Sequence, residues 1–211
     1  MTDAAAGSTP EPAPDPGVRL VAGTVDIDDL DAFLADCDAI AADTGAVVQA
    51  FDADLVVSAT QLREAARLAA RAIARGEAVA RDPGVEILLY AAGRRQIDRA
   101  LELGVSEGER SVAILVADFG DVPGADRPAA DLPAAVEAAR SLAVDSARSL
   151  PGDSIDRPDA KGPADGDHFE AAFDEDRVRE FYGVTDRELA ATNGGVADVV
   201  RERVALLDVE K

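Results

Sequence analysis

Several residue types that carry chemistry are nearly missing from this chain of 211 residues, which has one cysteine, one histidine, no tryptophan and only two lysines against 19 arginines. A lone Cys37 rules out an intramolecular disulfide and a thiolate metal cluster, and its neighbours Leu34, Ile40 and Ala41 on a predicted helix mark it as a buried thiol. A lone His168, set beside Asp165 and Asp167, rules out a multi-histidine metal site and argues against a Ser-His-Asp triad. No run reaches the roughly 18 to 20 apolar residues of a membrane span. The start Met1-Thr-Asp-Ala-Ala-Ala6 has no basic stretch of the kind that opens a signal peptide, so a cytoplasmic protein is expected. Neither glycine-rich phosphate loop occurs, neither Gly-x4-Gly-Lys-Ser/Thr nor Gly-x-Gly-x-x-Gly, and a nucleotide cradle has no support. Asp118-Phe-Gly120 copies a kinase metal-binding tripeptide, yet the lysine strand and the His-Arg-Asp loop are missing, so it reads as a strand end and turn. Asp26-Ile-Asp-Asp-Leu-Asp31 lacks the glycine and distal glutamate of a calcium loop, and its acids suit a helix N-terminus instead. No cofactor, no metal and no enzymatic activity are expected.

Acid is what the chain has in excess. Asp and Glu number 42 against 21 Lys and Arg, for a net charge of -21. Carboxylates stay hydrated while concentrated salt screens their repulsion, so this composition predicts a protein of a salt-loaded cytosol, of haloarchaeal type. A disordered acidic chain is excluded by the 47% hydrophobic content and by long periodic segments. The charge is uneven. Residues 1–59 hold one base and 12 acids, residues 111–211 hold 11 bases and 22 acids, and residues 60–110 hold nine bases and eight acids. An acidic chain has kept one near-neutral window.

Hydrophobic periodicity predicts a strand over Val18–Val25, a helix over Asp28–Asp43, and strand character over Val47–Phe51 and Leu55–Val57. Helices follow at 60–75, 83–92 and 94–103. The unbroken apolar run Val112–Val116 predicts a central strand buried on both faces. Later come helices at Ala134–Ser149 and 174–181, a short turn at 186–190, and a closing helix from Gly195 whose Val196, Val199, Val200, Val204 and Leu207 form one stripe. The expected fold class is α/β, a single compact domain with a small mixed β-sheet flanked by helices. A Pro-rich acidic tail at 1–16 is expected to be disordered.

The chemistry concentrates in Glu86-Ile-Leu-Leu-Tyr-Ala-Ala-Gly-Arg-Arg-Gln-Ile97. A helix stops at Gly93 and another begins at once, so two helices meet at a basic, hydrogen-bonding corner. Upstream, Arg63, Arg67, Arg71 and Arg75 recur every four residues along one helix ridge, which could grip phosphates or an acidic partner or could be a solvated face.

This run, with the strand at Val112–Ala117, the segment Val178-Arg-Glu-Phe-Tyr-Gly-Val184 and the closing Glu202-Arg-Val-Ala-Leu-Leu207, resembles the PRPK-binding (TPRKB-like) family, the small regulatory subunit of the archaeal KEOPS complex. The resemblance implies a non-catalytic partner of the small kinase/ATPase subunit, and through it of the other KEOPS subunits. It further implies that the chain stimulates that kinase and helps hold tRNA by its 3′ end for threonylcarbamoyl-adenosine modification. Unstacked end bases suit such a corner, where apolar packing, Arg stacking and amide hydrogen bonds can hold them. The RNA-binding candidates are then Tyr90, Arg94, Arg95, Gln96, Leu101 and Leu103. The domain would comprise residues 17–118 and 171–211, with 119–170 an insertion holding one helix and a flexible stretch at Pro151–Asp167. The competing reading is a free-standing α/β anion-binding protein or enzyme, using Arg94, Arg95 and a helix N-terminus as its pocket.

Overall fold

A computed structural model of the chain describes residues 15–143 and 173–208. In chain order these form β1 (Gly17–Ile27), α1 (Leu30–Thr44), β2 (Val47–Asp52), a 3-10 turn (Ala53–Leu55), α2 (Ala59–Ala74), α3 (Pro83–Ala91) and α4 (Ile97–Leu101). There follow β3 (Gly108–Asp118), α5 (Leu132–Leu142), α6 (Glu175–Tyr182), α7 (Asp186–Ala191) and α8 (Val196–Leu206). The acidic tail up to residue 14, His168 and the stretch at Pro151–Asp167 lie outside the described residues.

β3 is the centre of the sheet. The order is β1-β3-β2, and β3 pairs antiparallel with both neighbours, Ile114 facing Val21 on one side and Ala50 on the other. β1 and β2 run parallel to each other but never touch, because β3 sits between them. The α/β class holds, and both pairings are antiparallel where a mixed sheet was expected. Period-two alternation then splits β3 between two cores. Ala113, Leu115 and Ala117 pack with α2, α3, α6 and α8, whereas Val112, Ile114 and Val116 pack with α1 and α5. This is why an uninterrupted apolar run was needed: neither face of the strand meets water.

The helix starts follow from local chemistry. Asp29, Ser58, Asp82, Asp131 and Asp174 each cap a helix by accepting from a backbone N–H in its first turn. Asp29 confirms the capping role read for the acids around it. Residues 186–191, expected as a turn, are helical because Thr185 and Glu188 form a reciprocal capping box. Residues 53–57 are a 3-10 turn and an extended exit, not a strand, since Asp52 turns the chain by accepting from the Asp54 N–H at 3.0 Å. The Asp118-Phe-Gly120 turn is structural too. Asp118 Oδ1 accepts from the N–H groups of Gly120 (2.9 Å) and Ala130 (3.1 Å), strapping the following loop to the end of β3.

α5 corrects the expected domain layout. Its Ala135 and Ala139 are fully buried and Ala143 nearly so, in the core that also holds Phe33, Cys37 and Ile40 of α1. Residues 119–143 therefore close one face of the sheet and are not a decoration. Small alanines allow this close approach, and their modest size hid the helix's importance in the sequence. The helix also ends at Leu142, short of the expected Ser149.

Two predictions arise here. A Cβ on Gly120 would lie 2.6 Å from Ala129 Cα and 2.7 Å from Ala129 N, a clash with backbone that no rotamer relieves. Gly120→Ala should cost about 2 to 3 kcal/mol in urea unfolding at fixed salt. Burial, reinforced by the Asp38 and Asp36 carboxylates, pushes the Cys37 thiol from 9.0 to about 11. The folded state thus keeps a proton that the unfolded chain releases first. The stability is complete below about pH 9 and falls as pH rises toward 11, so Cys37→Ala should flatten the urea midpoint between pH 9 and 11 relative to the parent.

Candidate functional site

α3 ends in a Schellman motif, with Gly93 N–H donating to Tyr90 O at 2.9 Å and Arg94 N–H to Leu89 O at 3.0 Å. Gly93 has φ +60°, and a Cβ there would lie 3.4 Å from Arg203 Cβ of α8. The left-handed turn and the close approach both call for glycine. The chain reverses and delivers Arg94 and Arg95 toward the C-terminal helices.

Both side chains are half-buried and committed. Arg94 Nη2 donates to Phe181 O, and its guanidinium lies 5.2 Å from the Phe181 ring centroid. Arg95 Nη2 donates to Leu207 O at 3.1 Å. Arg203 answers from α8, donating to Tyr182 O, to Gly183 O at 3.4 Å and to Glu188 at 2.6 Å. The last carbonyls of α6 and α8 have no partner within their own helices, and they carry the negative end of the helix dipole. Arginines meet both needs. A pocket built on Arg94 and Arg95 would have to break these bonds, and α4, whose N-terminus would complete it, has only five residues. The free-standing anion-binding reading gains nothing from this geometry.

Beneath the corner lies Gln61, fully buried. Its Nε2 donates to Ala91 O (2.9 Å) and Tyr182 Oη (2.6 Å), and its Oε1 accepts from Val57 N–H (2.9 Å). Tyr182 Oη in turn donates to Ala91 O at 3.0 Å. Burial drives the Tyr182 hydroxyl well above the ordinary phenol range, against the opposing pull of Gln61 and Arg94, so it stays a donor.

In front of the corner opens a cleft of about 480 Å³, lined by Leu55, Arg94, Arg99, Glu102, Arg177, Glu180 and Phe181. Arg177 is held at 2.6 Å from Asp52 and 3.3 Å from Asp54, and the Asp52 hydrogen bond raises its already high pKa. Arg99 pairs at the surface with Glu102 at 2.8 Å. Three guanidiniums and one aromatic ring therefore border one open space, an arrangement suited to phosphate and to a flat base. Among the described residues, no three His, Cys, Asp or Glu side chains gather as a metal would require, and no helix is long and apolar enough to cross a membrane.

Of the residues proposed from sequence, Tyr90 and Leu103 are buried in the main core and support the corner from behind. Gln96 and Leu101 are exposed, while Arg94 and Arg95 are clamps with one edge facing out. The upstream ridge is partly neutralised: Arg67 pairs with Glu64, Arg71 with Asp208 at 2.9 Å, Arg63 is half-buried and Arg75 is exposed. Arg99, Arg177, Phe181 and Leu55 were missed. Phe181 stood in a recognised family-like segment, but nothing local in the sequence joins it to Arg94.

The sequence profile described as "Kinase binding protein CGI-121" matches residues 37–208, from within α1 to the end of α8. The chain belongs to this family. The matched span takes in the corner, the cleft and α5, so a CGI-121 fold includes the layer that α5 supplies here. A comparison with curated proteins gave no match.

Gln61→Leu should cost about 3 kcal/mol in thermal or urea unfolding, because it strands the Val57 N–H and takes a donor from Ala91 O in a dry interior. Tyr182→Phe should cost about 1 kcal/mol. Equal stability of the Gln61→Leu variant and the parent would show that the amide is not what joins these elements.

Proposed function

We propose that this chain is the regulatory subunit of a KEOPS-type assembly. It binds the small kinase/ATPase subunit, raises that subunit's turnover, and helps hold tRNA by its 3′ end while threonylcarbamoyl-adenosine is made. Membership of a kinase-binding family carries the first part of this reading. For the second part, the supporting observation is the cleft beside the corner, where Arg94, Arg99 and Arg177 surround Phe181. Gln96 and the outer edges of Arg94 and Arg95 adjoin it, whereas Tyr90 and Leu103 act only by packing.

Salt shapes how such a site works. Binding that relies on counterion release weakens steeply with ionic strength, so an acid-rich protein working in concentrated salt gains more from stacking and shape than from bulk charge. A net charge of -21 is compatible with that kind of RNA contact, provided the local surface is not acidic.

The experiment is a reconstitution in high salt with the cognate kinase subunit and tRNA. Alone, the chain should hydrolyse no ATP above background. Added to the kinase, it should raise ATP turnover, and intact tRNA should bind more tightly than tRNA trimmed of its 3′-terminal bases. Arg99→Gln removes a guanidinium whose one bond in the fold is to Glu102, so it should weaken RNA binding several-fold without loss of thermal stability. Kinase turnover unchanged by the chain would refute the regulatory role, and equal affinity for intact and trimmed tRNA would refute the end-binding role.

A further inference from the structure

Among the described residues five large hydrophobic side chains are exposed: Leu34 (41%), Val79 (47%), Ile97 (41%), Leu101 (53%) and Leu206 (46%). Three of these belong to one corner of the molecule. Ile97 and Leu101 lie four apart on α4 and so share one side of that helix. Leu206 precedes the carbonyl that Arg95 grips at 3.1 Å, and Gly93 packs on Arg203 one turn earlier in α8. The start of α4 and the end of α8 are thereby pinned together, and their exposed aliphatics flank the join. Val79, by contrast, precedes α3 and is separated from the corner by the length of that helix, about 13 Å. Leu34 is on α1, across the sheet.

An apolar centre with a charged rim is the anatomy of a protein-docking patch. Its surroundings say what kind of partner it fits. The corner falls in the segment 60–110, where nine bases offset eight acids, while the flanking segments carry 12 acids to one base and 22 acids to 11 bases. This is the part of the chain that least repels an acidic protein, and exposed Arg99 and Arg201 stand ready at its rim. A second copy of the chain would bring another net charge of -21 to the contact, which opposes self-association. RNA is a poorer fit for aliphatics interleaved with Asp98, Glu102 and Glu202, and its phosphates find better partners in the cleft.

We propose that the face formed by Ile97, Leu101 and Leu206 is where the family's kinase partner docks, presenting an apolar knob ringed by carboxylates. The inference rests on the kinase-binding role argued above, and it assigns that role a surface distinct from the RNA cleft. Docking there would set the kinase beside α6 and the cleft, so that one rigid corner serves both partners.

The five exposed aliphatics supply their own controls. Ile97→Asp, Leu101→Asp and Leu206→Asp are compared with Val79→Asp and Leu34→Asp in the full chain, by titration against the cognate kinase subunit at fixed high salt. Thermal unfolding verifies that each variant is folded. Each corner variant should weaken kinase binding at least tenfold, while the two controls and tRNA binding by the isolated chain stay within twofold of the parent. Parent binding with no loss in the corner variants, or an equal loss in the controls, overturns the placement and leaves the kinase-binding role standing. Failure of the parent itself to bind the kinase overturns the role. Sedimentation of the free chain decides the remaining cases: a dimer abolished by the corner changes would assign the face to a second copy, and a selective loss of tRNA binding would assign it to RNA. Either result would overturn the proposal.

Discussion

The corner exists because one buried amide holds three separate stretches of chain at a common point. Gln61 reads the backbone ahead of its own helix through Val57, the end of α3 through Ala91, and α6 through Tyr182. Each of these groups is dry, and each would be costly to leave without a partner. The amide is therefore selective as well as stabilising, since no other packing of α6 against α3 satisfies all of them at once. The Schellman turn, the direction of Arg94 and the placement of Phe181 are all downstream of that junction.

Above it, the C-terminal helices are fastened mainly by arginines bonded to carbonyl oxygens. Arg94, Arg95 and Arg203 each grip the end of a helix, and Arg71 with Asp208 adds an ion pair at 2.9 Å. A half-buried guanidinium bound to a fixed dipole is screened less by dissolved salt than an exposed pair of opposite charges. The fastening thus suits a protein whose charge composition points to concentrated salt. It also explains the strong preference for arginine over lysine at these positions, because a planar fork can reach a carbonyl and cover a ring together.

Much of this architecture was legible in the sequence, and what escaped has a consistent cause. Val112–Val116 announced the central strand because both its faces are buried, and Gly93 announced the corner because a helix stop needs a left-handed residue. The stripe from Val196 to Leu207 and the burial of Cys37 were equally plain. The misreadings arose where contacts span the chain. Tyr90 looked like an accessible aromatic, but α3 is buried almost all round, so periodicity could not tell its outer side. Arg94 and Arg95 looked like solvated charges because their acceptors are carbonyls, which every residue has and no sequence pattern marks. Glu86 looked like part of a recognition motif, and it is a buried receptor for the N–H groups of Val79 and Ala80. The cleft was invisible for the same reason: Arg177 is placed by Asp52, 125 residues earlier. α5 was undervalued because alanine-lined contacts depend on closeness rather than on large side chains.

The insertion of β3 between β1 and β2 has a consequence for how the chain is made. Gly17 pairs with Asp118, and Val18 with Ala117, so the first strand waits about a hundred residues for its neighbour. Until β3 leaves the ribosome there is no sheet at all, and neither core can close. At about 5 to 20 residues per second the interval is on the order of ten seconds, long compared with helix formation. During that time β1 and β2 have their hydrogen-bonding edges uncovered. A heavily acidic nascent chain repels its neighbours on a crowded polysome, and the charge that keeps the finished protein in solution also guards these strands while they wait.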